Sequence, residues 1–226
     1  VPFGTIEKNT KYFIASDYGN WWRIIYLDRV GYVRKSEVIE TRIPNLIIVI
    51  DPGHGGHDPG ALGNGLREKD INLDIAKRVQ SMLQSKDISV IMTRTTDKHL
   101  SLSERSSLAN NLNADLFVSI HVNSFNNESA NGIETWWYSK GPEPNKSKLL
   151  AEQIQKEVIN QTRMNNRGVK EGNFHVNRET KMPSALIEVG FISNKNDAAK
   201  LKTSSYRQQV ANGIVNGIKA YIQLYL

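Results

Sequence analysis

Four residues of this chain have the types that hydrolytic metal chemistry uses. His54 closes the stretch IVIDPGH, Glu68 lies in LREKD, His121 follows DLFVSI, and Glu188 sits inside SALIEVGF. Two imidazoles and a carboxylate, with a position left open for water, make up the usual catalytic zinc site. A separate carboxylate beside that water can serve as general base. His54, Glu68 and His121 are the candidate ligands and Glu188 the candidate base. The spacings of the three ligands, 14 and then 53 residues, match no short metal motif. The weight therefore falls on where the fold places them. The chain has no cysteine, so disulfides and thiolate sites are excluded and any metal must be held by His, Asp or Glu.

Each candidate has a rival. His57 stands three residues after His54 and could ligate instead. His54 is favoured because it lies nearer the strand end, with Gly53 and Gly55 on either side to allow close approach. His99 and His175 carry no second feature that points to the site. Glu188 is flanked by apolar residues, and buried glutamates are rare unless paired or bound to something. A structural salt bridge is its other reading. Glu134, in GIETWWY, is a rival carboxylate on a stretch whose alternation suggests a strand near the sheet edge. DPGHGGHDPG is no phosphate loop: it has neither GxGxxG spacing nor a GK[ST] ending, and no helix pattern starts straight after it. The pairs Trp21-Trp22 and Trp136-Trp137 fit core or sheet packing better than ligand stacking.

The elements that must position these residues alternate. LIIVI (46–50) is a continuous apolar run, as in a strand buried on both faces. Ile71, Ile75, Val79, Met82 and Leu83 recur at helical spacing. ISVIMT is a second strand. Ser101 and Glu104 form a capping-box pattern ahead of a helix carrying Leu108, Ala109 and Leu112. DLFVSI, GIETWWYS and SALIEVGF are further strands. A helix is expected from about 147 to 164, and a last one carries Tyr206, Val210, Ile214, Ile218 and Ile222. This pattern predicts an α/β fold: a mainly parallel, mixed sheet with helices on both faces. In such sheets ligands bind beyond the carboxyl ends of the strands, where His54, His121 and Glu188 fall. Residues 1–42 differ in texture. YFIAS, WWRIIYL and VGYVRKSEVI, with turns at Gly19-Asn20 and Asp28, read as a small all-β unit, and ETRIPN as a linker.

The chain of 226 residues is long enough for one sizeable domain plus an appendage. Hydrophobic residues at 39% and charged ones at 23% suit a globular protein. No apolar run approaches the ~18 residues that span a membrane, so no membrane span is expected. The net charge of +6 favours polyanionic partners. No cluster of five or more Lys/Arg appears and no recognition motif accompanies the charge, so a nucleic-acid partner is not expected.

IVIDPGHGGHDPGA, REKDINLDIAKRV, MTRTTD, LSERSSLANNLNADLFVSIHVNS, GIETWWY and SALIEVGFISN resemble, in order, the segments of the zinc-dependent N-acetylmuramoyl-L-alanine amidases. The resemblance covers about residues 46–226, within an expected catalytic domain of 43–226. It implies a Zn2+ cofactor held by His54, Glu68 and His121, with Glu188 as catalytic acid/base. It implies peptidoglycan as substrate, hydrolysis of the amide between N-acetylmuramic acid and L-alanine, and a secreted, cell-wall location. Anionic wall polymers are a further expected partner, and a monomer the expected state. Only FNNESAN separates SIHVNS from GIETWWY, which is similar to family members with an open groove and no blocking helix. Residues 1–42 resemble part of a bacterial SH3-like module, through GNWWRI and GYV.

Overall fold

The computed structural model describes residues 13–26, 29–37, 46–85 and 87–225. The chain forms two compact units, Val1–Ile43 and Pro44–Leu226. In the first, β1 (Phe13–Tyr18), β2 (Trp21–Tyr26) and β3 (Arg29–Arg34) form an antiparallel sheet in that order, followed by a short 3-10 turn, Lys35–Glu37. Tyr18, Trp21 and Tyr32 are exposed there. The expected linker ETRIPN lies outside the described residues.

In the second unit the chain runs through β4 (Leu46–Pro52), the small hairpin β5 (Leu62–Gly63) and β6 (Leu66–Arg67), α1 (Glu68–Leu83), β7 (Ile88–Met92), α2 (Leu102–Asn111) and β8 (Leu116–Asn123). It continues through β9 (Ile133–Trp137), α3 (Pro144–Thr162), β10 (Asn166–Glu171), α4 (His175–Glu179), β11 (Ser184–Phe191), α5 (Lys195–Leu201) and α6 (Ser204–Tyr225). Six strands form one sheet in the order β10-β9-β11-β8-β4-β7. The pairs β7/β4, β4/β8 and β8/β11 are parallel, β9 runs antiparallel to β11, and β10 is parallel to β9. The fold is thus the mixed α/β sheet that the alternation predicts.

The two faces of the sheet differ. Because side chains alternate along a strand, one face presents Ile48, Ile50, Val90, Met92, Val118, Ile120, Ile133, Ala185 and Ile187. These pack under α1, α3 and α6 into the main core. Each valine, isoleucine or methionine of this set contributes ~1.5–3 kcal/mol when fully buried. This apolar layer is the main core, while the other face carries the polar groups beside buried Val49, Phe117 and Leu186. There the register sets Asp51 beside Ser119, and His121 beside Glu188 beside Glu134. Helix α4 packs on β11, and α2 packs on α4 and reaches that face through Arg105 on Asp51.

Four details depart from the sequence reading. Strand β10 lies in a stretch to which the sequence pattern assigns no element, and it takes the edge position, so β9 with Glu134 is not at the edge. Glu68, expected between the glycine-rich loop and the first helix, is the first residue of α1. The hairpin β5/β6 folds within that loop. Helix α3 runs from Pro144 to Thr162, earlier at both ends than 147–164. It stops where Arg163 takes a left-handed φ of 54°. The connection from β8 to β9, residues 124–132, is made of turns and bends without a helix.

Candidate metal centre

Strand β4 delivers the loop Gly53-His54-Gly55 to the carboxyl edge of the sheet, and β8 delivers His121. The first turn of α1 supplies Glu68. One ligand atom from each of His54, Glu68 and His121 lies within 4.8 Å of the others. Glu68 Oε1 is 2.8 Å from His121 Nδ1 and 3.3 Å from His54 Nε2. The imidazoles meet edge to face, with ring centroids 5.0 Å apart.

Backbone and side-chain donors fix the central carboxylate. Glu68 Oε1 accepts from the Val122 N–H (3.0 Å) and Asn72 Nδ2 (3.2 Å), and Oε2 accepts from the Ala61 N–H (2.8 Å). Burial alone would raise the Glu68 pKa. Hydrogen bonds from His121 and His54, and their charge, overcome it and hold the carboxyl well below the usual range. Burial lowers the His54 pKa, but Glu68 and Asp58 together raise it. Asp58 Oδ2 lies 2.7 Å from His54 Nδ1. A carboxylate on one ring nitrogen orients the ring and leaves the other nitrogen to face the ligand cluster.

The glycines around His54 are sterically required. A Cβ at Gly53 would fall 2.2–2.7 Å from the ring atoms of His121, and one at Gly60 would fall 2.6 Å from Glu68 Oε2. His54 itself takes a left-handed φ of 61°, which is costly for a residue with a side chain. Two buried arginines hold this strained loop. Arg94 donates to the carbonyls of Pro52 and Gly53 (both 2.9 Å). Arg105 donates to those of Pro52 and His54 (both 2.9 Å) and to Asp51 Oδ1 (2.8 Å). Asp51, fully buried, also accepts from Thr93 and Ser119.

Glu188 stands next to His121 in register and lines a cavity of about 600 Å³ together with His54, Glu68 and His121. Its Oε2 is buried and has no hydrogen-bond partner among the described residues. Burial raises its pKa well above the ordinary value, and the negative charges of Glu68 and Glu134 add to the rise. Glu134, its neighbour on β9, is paired instead: Arg167 Nε (2.7 Å) and Lys170 Nζ (2.5 Å) bond its Oε2. The two candidates for a free carboxylate thus have opposite environments, and only Glu188 faces the cavity.

The structure therefore brings His54, Glu68, His121 and Glu188 together. His57 stacks on His99 (centroids 4.0 Å apart) away from the ligand cluster. His99 and His175 both line the cavity, closer to the site than the sequence reading placed them. Trp136 packs edge-on against Phe174, and Trp137 against the main core. Asp58, Asp51, Arg94 and Arg105 escaped the sequence reading. Asp58 had a signal, an acid four residues after His54. The arginines had none, because charged residues read as surface by default.

The donor set fits a zinc ion: two imidazoles and a carboxylate, already ionised and oriented, beside an open cavity. The family model described as N-acetylmuramoyl-L-alanine amidase matches residues 48–220. The N-acetylmuramoyl-L-alanine amidase LytC of Bacillus subtilis is 45% identical over 197 residues, or 84% of this chain; the chain spans 40% of that relative's length. A crystal structure of an N-acetylmuramoyl-L-alanine amidase from Clostridium difficile 630 superposes with a TM-score of 0.78 at 40% identity, covering 81% of this chain and all of that one. The catalytic domain of CwlV, an N-acetylmuramoyl-L-alanine amidase from Bacillus (Paenibacillus) polymyxa, superposes with a TM-score of 0.75 at 40% identity, covering 79% and 99%.

Proposed function

This chain belongs to the N-acetylmuramoyl-L-alanine amidase family, and from that premise we propose that it hydrolyses the amide joining the lactyl group of N-acetylmuramic acid to L-alanine in peptidoglycan. The observation that carries the reading is the unpartnered Glu188 carboxyl facing the same cavity as the His54-Glu68-His121 cluster. These three residues would hold a zinc ion, which when bound polarises the scissile carbonyl and activates water. Glu188 takes the proton of the attacking water on its free oxygen and passes it to the leaving amine of L-alanine. A raised pKa suits that shuttle, because the carboxyl must hold the proton between the two transfers. Glu68 and Asp58 keep the imidazoles in place. The open side of the cavity admits the substrate.

An extracellular, cell-wall location follows from this substrate, and a monomer suffices because one chain supplies the whole cluster. The N-terminal unit is read as part of an SH3-like module that adds wall contact. The positive net charge would add attraction to anionic wall polymers.

The test is Glu188→Gln. It should keep one zinc equivalent by elemental analysis and lose about 10²–10⁴ in dye release from labelled peptidoglycan. Near wild-type release would remove Glu188 from the mechanism. Mass spectrometry of wild-type products should find a free L-alanine amine; a free glucosamine amine instead would make the protein a deacetylase.

A further inference from the structure

We infer, resting on the amidase reading, that Arg167 and Lys170 form an anion subsite beside the hydrolytic centre, which takes a free carboxylate of the stem peptide. The row His121-Glu188-Glu134 runs across β8, β11 and β9, and β10 adds the two cations at its end. Glu134 is only 2% exposed. Its Oε2 receives both cations, and its Oε1 accepts from Asn123 Nδ2 (2.8 Å), a residue that lines the cavity.

One buried carboxylate needs one cation for neutrality. Here it has two, so the cluster carries a net positive charge, with both cationic side chains 31% exposed. Their inner sides are anchored. Arg167 uses Nε on Glu134 and lies 4.8 Å from the Phe191 ring centroid, and Lys170 Nζ lies 5.3 Å from that of Trp136. Among the described residues their outer donors are unused. Among the described residues the two terminal nitrogens of Arg167 have no hydrogen-bond partner. An anchored guanidinium with a free edge is the geometry that grips a carboxylate through two parallel bonds.

The position suits the substrate. β10 lies two strands from β11, about 10 Å at the usual strand spacing. An extended peptide covers that in roughly three residues. The lactyl carboxyl is consumed in the scissile amide, so that group offers no charge. Anionic oxygens within reach come from the stem peptide or from a phosphodiester of a wall polymer. The peptide carboxylate has the shorter path, and its planar pair of oxygens matches the guanidinium edge.

The experiment measures binding by calorimetry to the full chain carrying Glu188→Gln, so that nothing is turned over. The probes are two muramyl peptides that differ only in whether the acidic residue nearest the cut bond bears a free carboxylate or a carboxamide. The carboxylate form should bind about tenfold tighter. Arg167→Gln and Lys170→Gln, with Tm checked, should each shrink that ratio at least about threefold, as should roughly 0.5 M salt. Glycerol phosphate is the second arm: weak competition supports the peptide carboxylate, whereas tight binding with a peptide ratio of one assigns the site to wall phosphate and overturns the proposal. It is also overturned by a ratio of one without such binding, or by a ratio that both substitutions leave intact. The parent ratio needs no change at these residues, so a folding defect cannot hide the answer. Failure of the amidase reading would show separately, as products of wild type lacking a free L-alanine amine.

Discussion

Glu68 is the hinge of the site at the scale of single residues, because its two oxygens accept from three separate donors while facing both histidines. That over-determination makes it a poor place to test fine effects. Asp58 is a better one. Its side chain is 43% exposed, and its two oxygens bond His54 Nδ1 and the Gly60 N–H. Asp58→Ala should leave Tm within a degree or two and weaken zinc binding about 10–100-fold, the usual effect of removing a ligand's outer partner. A chelator competition titration reads this directly, and unchanged affinity would show that the loop alone orients His54. The types of His54, Glu68, His121 and Glu188 were legible from their neighbours. Asp58 was not singled out, because an acid in a glycine-proline loop reads as a turn residue.

The element that matters most is the loop leaving β4. Gly53 has no room for a methyl group, since the His121 ring would lie 2.2–2.7 Å from it. Gly53→Ala should therefore displace His121, lose the zinc equivalent on elemental analysis, and keep the circular dichroism spectrum of the fold. Retention of zinc would show that β8 can yield. Beneath the loop, Asp51 tests the arginine braces. Burial alone would raise its pKa, and Arg105, Thr93 and Ser119 together lower it. A depressed folded-state pKa stabilises the fold above the unfolded value, near 3.9, and the contribution fades as pH falls through the folded value. Asp51→Asn should cost about 3–5 kcal/mol at pH 7, by leaving the Arg105 charge uncompensated. The gap in denaturant stability between variant and wild type should narrow below pH 4. A gap that stays constant from pH 7 to pH 3 would contradict the assignment.

On the scale of the whole molecule, the main apolar core and the row His121-Glu188-Glu134 occupy opposite faces of one sheet. The main apolar core lies in Pro44–Leu226. A chain shortened to that unit should unfold cooperatively and cleave soluble muropeptides within about twofold of the full chain, as expected of a unit with its own core. Tighter salt dependence of intact-wall cleavage in the full chain would locate wall attraction in the first unit, and identical dependence would locate it in the second. Strand-helix alternation made the α/β class legible, because buried parallel strands read as unbroken apolar runs. Strand β10 was not legible: NRGVKE is polar and half-buried at the sheet edge, so no apolar run marks it.

The sequence by itself determined the fold class, the apolar periodicity of the strands and helices, and the places of His54, His121 and Glu188 at strand ends. Periodicity and strand-end position are local properties, and local patterns record them. Only the tertiary structure decided which of two nearby histidines joins the cluster and which of two glutamates keeps a free oxygen. His54 and His57 are neighbours in the chain, but Gly53 and Gly60 open space on the side of His54 alone. Glu134 and Glu188 sit in similar apolar stretches, and β10 brings Arg167 and Lys170 to Glu134 while leaving Glu188 toward the cavity. Those distinctions depend on contacts between residues dozens of positions apart, which no local pattern contains.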